Sequence, residues 1–356
     1  MNMTKSALLL LLSLWLHACE KKKPSENVDS NAINNHSASK FKISDNQLTV
    51  LEPWPGATSP KTYNFKSSPK KVIVTSTTHL PYLEMLGVGD QLVGFPGTSY
   101  ISSEYFRERV ASGEIKDIGN DGNLNIELII DLQPDLVIAF DMGNESTTLD
   151  KIEESGIPVL YNADFLETSA LGRAEWIRFF GALFNKQSKA DSIFNNIAQA
   201  YDSLKTLAQS VSQRPTVFSG VVYGDIWFLP GGENSAAAFY KDAGAAYIWE
   251  SDSTSGWLEV SFESVFDKAN DADYWVGIST FNTKEELISQ DTRYGAFDAF
   301  QQDKIFTYSK RINPTGGYDY FETGYARPDL ILADFISIFH PEILPDYNTY
   351  YYQKVE

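Results

Sequence analysis

The chain has 356 residues, 43% hydrophobic and 13% aromatic, enough apolar material for two ordinary cores and too much for a disordered or fibrous chain. Its 29 Lys and Arg against 47 Asp and Glu give a formal net charge of -18, a field that repels nucleic acid and anionic lipid headgroups. One cysteine excludes an intramolecular disulfide, a cysteine-based zinc site and an iron–sulfur cluster.

One Lys precedes an apolar run from Ala7 to Leu16, and small Ala18 stands before Cys19, the pattern of a secretory signal segment. The run is about half of the roughly 20 residues that a membrane-spanning helix needs, and no later stretch supplies such a span. The mature protein is therefore expected not to cross a membrane. The tetrad Leu16-His17-Ala18-Cys19 resembles the bacterial lipobox, which implies cleavage before Cys19 and acylation of its sulfur. From Cys19 to about residue 45 the chain is rich in Ser, Asn and charge, and cannot bury enough surface to offset ordering entropy. It reads as a tether between a lipid and a folded body.

From Lys71 the pattern alternates. VIVTST predicts a strand, PYLEMLGV a short helix ended by Gly87, and QLVGF another strand. The block from Glu127 to Phe140 predicts a helix, a stop at Pro134 and a buried strand, and KIEESGIPVLYN repeats helix, Gly156 turn and strand. Short units of this kind imply a mostly parallel sheet covered on both faces. Between about Ala170 and Val211 there is no Pro, and Ala190, Ile193, Phe194, Ile197, Tyr201, Leu204, Ala208 and Val211 form one apolar helical stripe. The alternation then resumes: TVFSGVVYG as a strand, PGGENSAAAFYKDAG as a turn into a helix, ADYWVGIS and KIFTYS as strands, and RPDLILADFISIF as a final helix with Pro328 in its first turn.

The fold class expected is α/β, two lobes with mostly parallel sheets joined by one long helix. The segments expected are 1–18 signal peptide, 19–45 tether, 46–185 N-terminal lobe, 186–212 linking helix and 213–356 C-terminal lobe. The halves partly echo each other, since Glu127 precedes Asp135-Leu-Val-Ile by a helix and Glu263 precedes Asp273-Tyr-Trp-Val by another.

From about Lys70 onward the chain resembles the substrate-binding proteins of ABC importers that have a single rigid linking helix, the class carrying iron-siderophores, haem and cobalamin. NLNIELIIDLQPDLVIAF, the long helix, FLPGGENSAAAFYKDAGA and GWLEVSFESVFDKANDADYWVG carry the resemblance. It implies a class III periplasmic binding protein-like fold that catalyses nothing, binds a small metal chelate and delivers it to a permease driven by ATPase subunits. It further implies a monomer in the periplasm or cell envelope, anchored through lipid on Cys19, with no cofactor of its own and no nucleic-acid partner. In that family one Glu on each lobe pairs with permease arginines, and Glu127 and Glu263 match; the plain alternative is two first-turn helix acids favoured by the helix dipole.

The ligand is expected between the lobes, where strand ends and helix N-termini face a cleft. The wall residues expected are His79, Tyr100, Trp227, Phe228, Trp257, Arg311, Asp319, Tyr320 and Arg327. Aromatics offer flat platforms, and Arg pairs with a ligand's carboxylate or phosphate. Asp319-Tyr320-Phe321-Glu322 resembles a stretch that lines the corrinoid pocket of cobalamin binders, whereas Asp121 stands where those binders can offer Trp. Arg293, Arg311 and Arg327 suit an anionic ferric siderophore instead, so siderophore and cobalamin both stay open, with haem behind them.

With His36, His79 and His340 as the mature histidines, no bare metal site is expected. LPGGENSA lacks the Lys-Ser/Thr of a nucleotide loop and reads as a turn into a helix whose N-terminus faces ligand. Two rivals remain: an envelope enzyme processing a metal chelate on the same scaffold, for which His79, Asp141 and Asp319 are the available groups, and a lipoprotein scaffold that binds no small molecule.

Overall fold

Leu136–Ala139 is buried at all four positions, and Val72–Val74 and Val159–Tyr161 are buried at every position too. Burial on both faces is what parallel strands under two helical layers require. The computed structural model describes residues 32–33, 37–44, 47–120, 122–143 and 147–356. In it these strands form a five-stranded parallel sheet in the order Val159–Tyr161, Leu136–Ala139, Val72–Val74, Leu92–Phe95, Lys116–Asp117. A second five-stranded sheet runs Ala246–Tyr247, Thr216–Ser219, Tyr274–Val276, Ile305–Thr307, Gln353–Lys354, parallel except for its last strand. Strand order reverses beside Val72–Val74 in the first sheet and beside Thr216–Ser219 in the second, which opens a crevice at the carboxyl end of each.

The helix Gln187–Ala208, 22 residues and roughly 33 Å long, joins the two lobes. Ala190, Phe194 and Ile197 sink into the core of the first lobe, Tyr201 and Ala208 into that of the second. One helix therefore belongs to both cores. The periodic stretch from 170 is not continuous, however. It divides into Ala170–Ala174, Trp176–Leu183 and the bridging helix, and Asn185 makes the last break with φ 55°, a conformation that Asn tolerates better than most residues.

TVFSGVVYG also divides. Gly220, at φ 86°, turns the chain out of the parallel sheet into the hairpin Val221–Tyr223 and Ile226–Pro230, and a Cβ there would lie 1.9 Å from the Phe228 carbonyl oxygen. Only Gly fits such an approach.

The folded body starts earlier than residue 46. Phe41–Ser44 and Gln47–Val50 pair in an antiparallel sheet with Lys61–Asn64, and Phe41, Ile43, Leu48 and Val50 join the first lobe's core. The Phe41 ring lies 4.8 Å from that of Trp176. Ser37 and Ala38 donate their N–H groups to the Glu175 carboxylate at 2.6 and 2.7 Å, and Ser39 and Lys40 donate theirs to Glu167. The alternation that gives these strands away is only four residues long and sits in polar sequence. The signal segment, Cys19, His36 and Asp121 lie outside the described residues; among those described, no helix is long and apolar enough to cross a membrane.

Candidate ligand-binding site

Chain ends of three parallel strands converge on one place. Ser219 ends Thr216–Ser219, Gly277 follows Tyr274–Val276 and Tyr308 follows Ile305–Thr307, and all three line a cavity of about 520 Å³ at the second lobe's topological switch. The opposite wall comes from the segment that leads into the bridging helix, through Phe165, Ala170 and Arg173. A volume of that order suits a small organic ligand.

Aromatic rings make most of the surface. Tyr308 stacks on Tyr320 at 4.8 Å and 15°, the edge of Phe321 meets Tyr308 at 5.1 Å, and Tyr320 packs edge-on against Tyr352 at 5.7 Å. Tyr240, fully inside, donates to Ser219 Oγ at 3.1 Å, and burial pushes its phenol up to about 12. It stays protonated at any physiological pH. Trp257, 62% exposed, stands at the mouth.

Two polar features converge on this apolar surface. The helix Ser235–Asp242 opens onto the cavity with Asn234, Ser235 and Ala236, and Asn234 caps it by accepting the Ala236 N–H at 2.9 Å. Arg173 is the only charged side chain on the wall among the described residues. Its Nε donates to the Glu167 carbonyl at 3.2 Å and its guanidinium lies 4.5 Å from the Tyr325 ring centroid, yet no carboxylate lies within 4.0 Å of it among the described residues. Buried Asp164 acts on it from farther off: burial raises that carboxyl to about 6, and the Arg173 charge opposes the rise. A helix N-terminus and a cation without a carboxylate partner together favour an anion.

Of the nine wall residues expected, the structure brings Trp257 and Tyr320 to this cavity. The others are corrected by their surroundings. Trp227 has no exposed surface; it packs among Phe218, Trp275 and Tyr294 and donates its indole N–H to the Ser219 carbonyl at 3.0 Å. His79 is equally buried, near Phe180, and burial lowers its pKa to about 3, so it is a neutral core residue. Phe228, on the same strand as Trp227, is half-buried away from the cavity, and Tyr100 is 64% exposed on the interlobe seam. Asp319 and Arg311 are spent on each other at 2.6 Å, with Arg311 over the Tyr350 ring, and Arg327 pairs with Asp329 at 2.8 Å. The expectation for LPGGENSA agrees with the geometry: Gly231 and Gly232 pass so close to the Thr254 and Asp252 carbonyls that a Cβ would come within 2.2 and 2.3 Å, and the helix beyond them faces the cavity. Sequence reasoning missed Phe165 and Arg173, since nothing in ALGRAEW distinguishes a cavity arginine from a surface one.

Glu127 and Glu263 occupy equivalent positions. Each is exposed, the second residue of its helix, and follows a cap, Asn125 or Ser261, whose side chain accepts the N–H of the third residue. Glu263 is held by Arg293 at 2.9 Å, an exposed pair worth little in stability; Glu127 makes no ion pair among the described residues.

Two lobes, a bridging helix rooted in both cores and an aromatic cavity between them define a solute-binding architecture. The sequence profile of the periplasmic binding protein family matches residues 72–312, and the chain belongs to that family. It is 26% identical over 297 residues to an uncharacterized lipoprotein of Methanocaldococcus jannaschii, covering 80% of this chain and 68% of that protein. An uncharacterized ABC transporter substrate-binding lipoprotein of Bacillus subtilis is 26% identical over 211 residues, 58% of this chain and 59% of that protein. Among solved structures, an ABC-type Fe3+-hydroxamate transport system protein from Saccharomonospora viridis superposes with a TM-score of 0.61 at 19% identity, covering 82% of this chain and 98% of that one.

Proposed function

We propose that this chain is the substrate-binding subunit of an ABC importer that takes a metal chelate, a ferric siderophore or a cobalamin, into the interlobe cavity and presents it to a permease driven by separate ATPase subunits. The observation that carries the reading is the cavity: flat aromatic faces for an organic ligand shell, with Arg173 and the helix start at Asn234 as the only groups aimed at charge. Among the described residues the wall offers a reaction no carboxylate, imidazole, lysine or thiol, so it supports recognition better than turnover. Of the axial ligands that haem accepts, the described wall offers tyrosine phenols alone, with no imidazole or thioether.

In this reading Cys19 carries the lipid that ties the protein to the envelope, Glu127 and Glu263 meet permease arginines, and the protein works as a monomer. The lipoprotein names of the archaeal and Bacillus relatives support the anchor, and the latter's name supports the transporter. The test is a fluorescence titration of the mature protein with cyanocobalamin, haemin, a ferric tris-catecholate and a ferric hydroxamate. Saturable quenching by one of them, with that ligand recovered unchanged after long incubation, is expected. Silence toward all four overturns the chelate reading, and a converted ligand overturns the carrier reading in favour of an enzyme.

A further inference from the structure

Away from the cavity, the seam between the lobes is closed by a second set of contacts centred on a buried acid. The Glu322 carboxylate, in a residue only 1% exposed, accepts the backbone N–H groups of Ser102 at 2.6 Å and Ser103 at 2.9 Å, just before the helix Glu104–Ala111 of the other lobe. Asn313 Nδ2 donates to the carbonyls of Ser99 and Ile101, and Thr315 Oγ1 donates to that of Ser99 at 2.6 Å. Residues 99–103 are thereby gripped by residues 313–322. The grip is continuous with the cavity, because Tyr320 and Phe321, whose rings line it, directly precede Glu322, and Thr77 Oγ1 of the first lobe donates to the Phe321 carbonyl at 3.3 Å.

No cation pairs with Glu322 among the described residues. Arg311 is taken by Asp319 at 2.6 Å, Lys310 by Asn348 and the Thr349 carbonyl, and Arg107, the remaining cation on this side of the seam, makes no ion pair among the described residues. The acids nearest Glu322 are Asp319 on its own helix and Glu84, which accepts from Ser103 Oγ at 2.7 Å, with Glu104 and Glu108 farther along the same seam; the neutral Tyr350 phenol lies beside Arg311. Burial first, and then Asp319 and Glu84, outweigh the two N–H donors and raise the Glu322 carboxyl to about 7.

We infer that Glu322 is a proton-coupled latch on the interlobe seam, so that closure takes up a proton and a rise in pH loosens the seam and speeds release of the bound ligand. The closed seam is fully favoured below the exposed carboxyl's 4.5 and weakens as pH rises through about 7. The consequence for ligand rests on the carrier reading above; the latch itself is measurable without ligand.

The test is hydrogen–deuterium exchange at the Ser102 and Ser103 amides of the ligand-free mature protein, corrected for intrinsic rates. Linkage between values of 4.5 and about 7 makes the expected protection about tenfold greater at pH 6 than at pH 8. Glu322→Gln is expected to abolish that pH dependence. Asp319→Asn, which keeps the acid and removes a like charge, should move the midpoint downward. Equal wild-type protection at both pH values, or a dependence that survives in Glu322→Gln, overturns the latch. Titration with the chelate panel separates the two readings. A tenfold change without chelate binding removes only the carrier reading, and chelate binding with flat protection removes only the latch.

Discussion

The Arg173 guanidinium lies 4.5 Å from the centroid of the Tyr325 ring, so one face of this wall cation is already occupied by an aromatic, while among the described residues its charge has no carboxylate within 4.0 Å. Stacking of this kind fixes the plane of the guanidinium, and with Nε and one terminal nitrogen donating to the Glu167 and Phe165 carbonyls it leaves the remaining N–H groups to a ligand. Arg173→Gln is expected to weaken binding of the cognate chelate by about 10- to 100-fold, in line with roughly 1.5–3 kcal/mol for a hydrogen bond to a charged group. Arg173→Lys recovers only part, because an ammonium has no planar fork. Titration of the variants measures this, and an unchanged Kd refutes the role.

Ligand fluorescence changes should come from Trp257 and not from Trp227. The first stands at the cavity mouth, the second is sealed in an aromatic core. Trp257→Phe therefore removes most of the quenching, whereas Trp227→Phe keeps it and lowers the melting temperature.

Asp164 stores a pH-dependent strain on stability. Its folded value of about 6 lies above the ordinary 3.8, chiefly through burial, so its contribution is favourable below about pH 4 and is lost as pH rises through 6. Asp164→Asn should be more stable than wild type at pH 7.5 by up to about 3 kcal/mol and lose that advantage at pH 4. Urea midpoints at the two pH values provide the comparison; a constant difference would count against it.

Gly220→Ala should be severely destabilising. Its φ of 86° strains any side chain, and the Phe228 carbonyl at 1.9 Å from the Cβ position is backbone that cannot move away alone. A loss above about 2 kcal/mol is expected from the strain and clash together. Thermal melts would reveal it, and a wild-type-like melting temperature would contradict it.

Charge reversal of Glu127 and Glu263 together should leave chelate affinity unchanged and abolish stimulation of the permease-coupled ATPase in proteoliposomes. Reversal of Glu263 alone also breaks its pair with Arg293, which stays held by Asp291 at 2.7 Å, so the two single changes are expected to act to a similar extent. Full stimulation by the double variant would disprove docking through these residues.

Much of the fold was legible because its signals are local. Leu136–Ala139 is apolar on both faces, and so announces a covered parallel strand before any neighbour is known. The stripe from Ala190 to Ala208 announces a helix, and Pro328 at a helix start announces its boundary. The cap-plus-acid pattern at Asn125-Glu127 and Ser261-Glu263 is readable for the same reason. The cavity wall was much less legible: Trp257 and Tyr320 were anticipated, Arg173 was not.

The sequence by itself determined two α/β lobes, the helix between them, the family and the exposed pair of glutamates, because each depends on the order of residues within one element. Only the tertiary structure decided which aromatics and which arginine face the ligand. Trp227 and Trp257 both sit on strands of one small sheet, paired through Pro230 and Trp257, and Arg173 lies in the helix Ala170–Ala174 while Arg327 stands at the start of Pro328–Phe339. Their fates diverge because burial and ion pairing are properties of what packs opposite them: Phe218 and Trp275 enclose Trp227, and Asp329 neutralises Arg327, while Trp257 and Arg173 are left to the cavity.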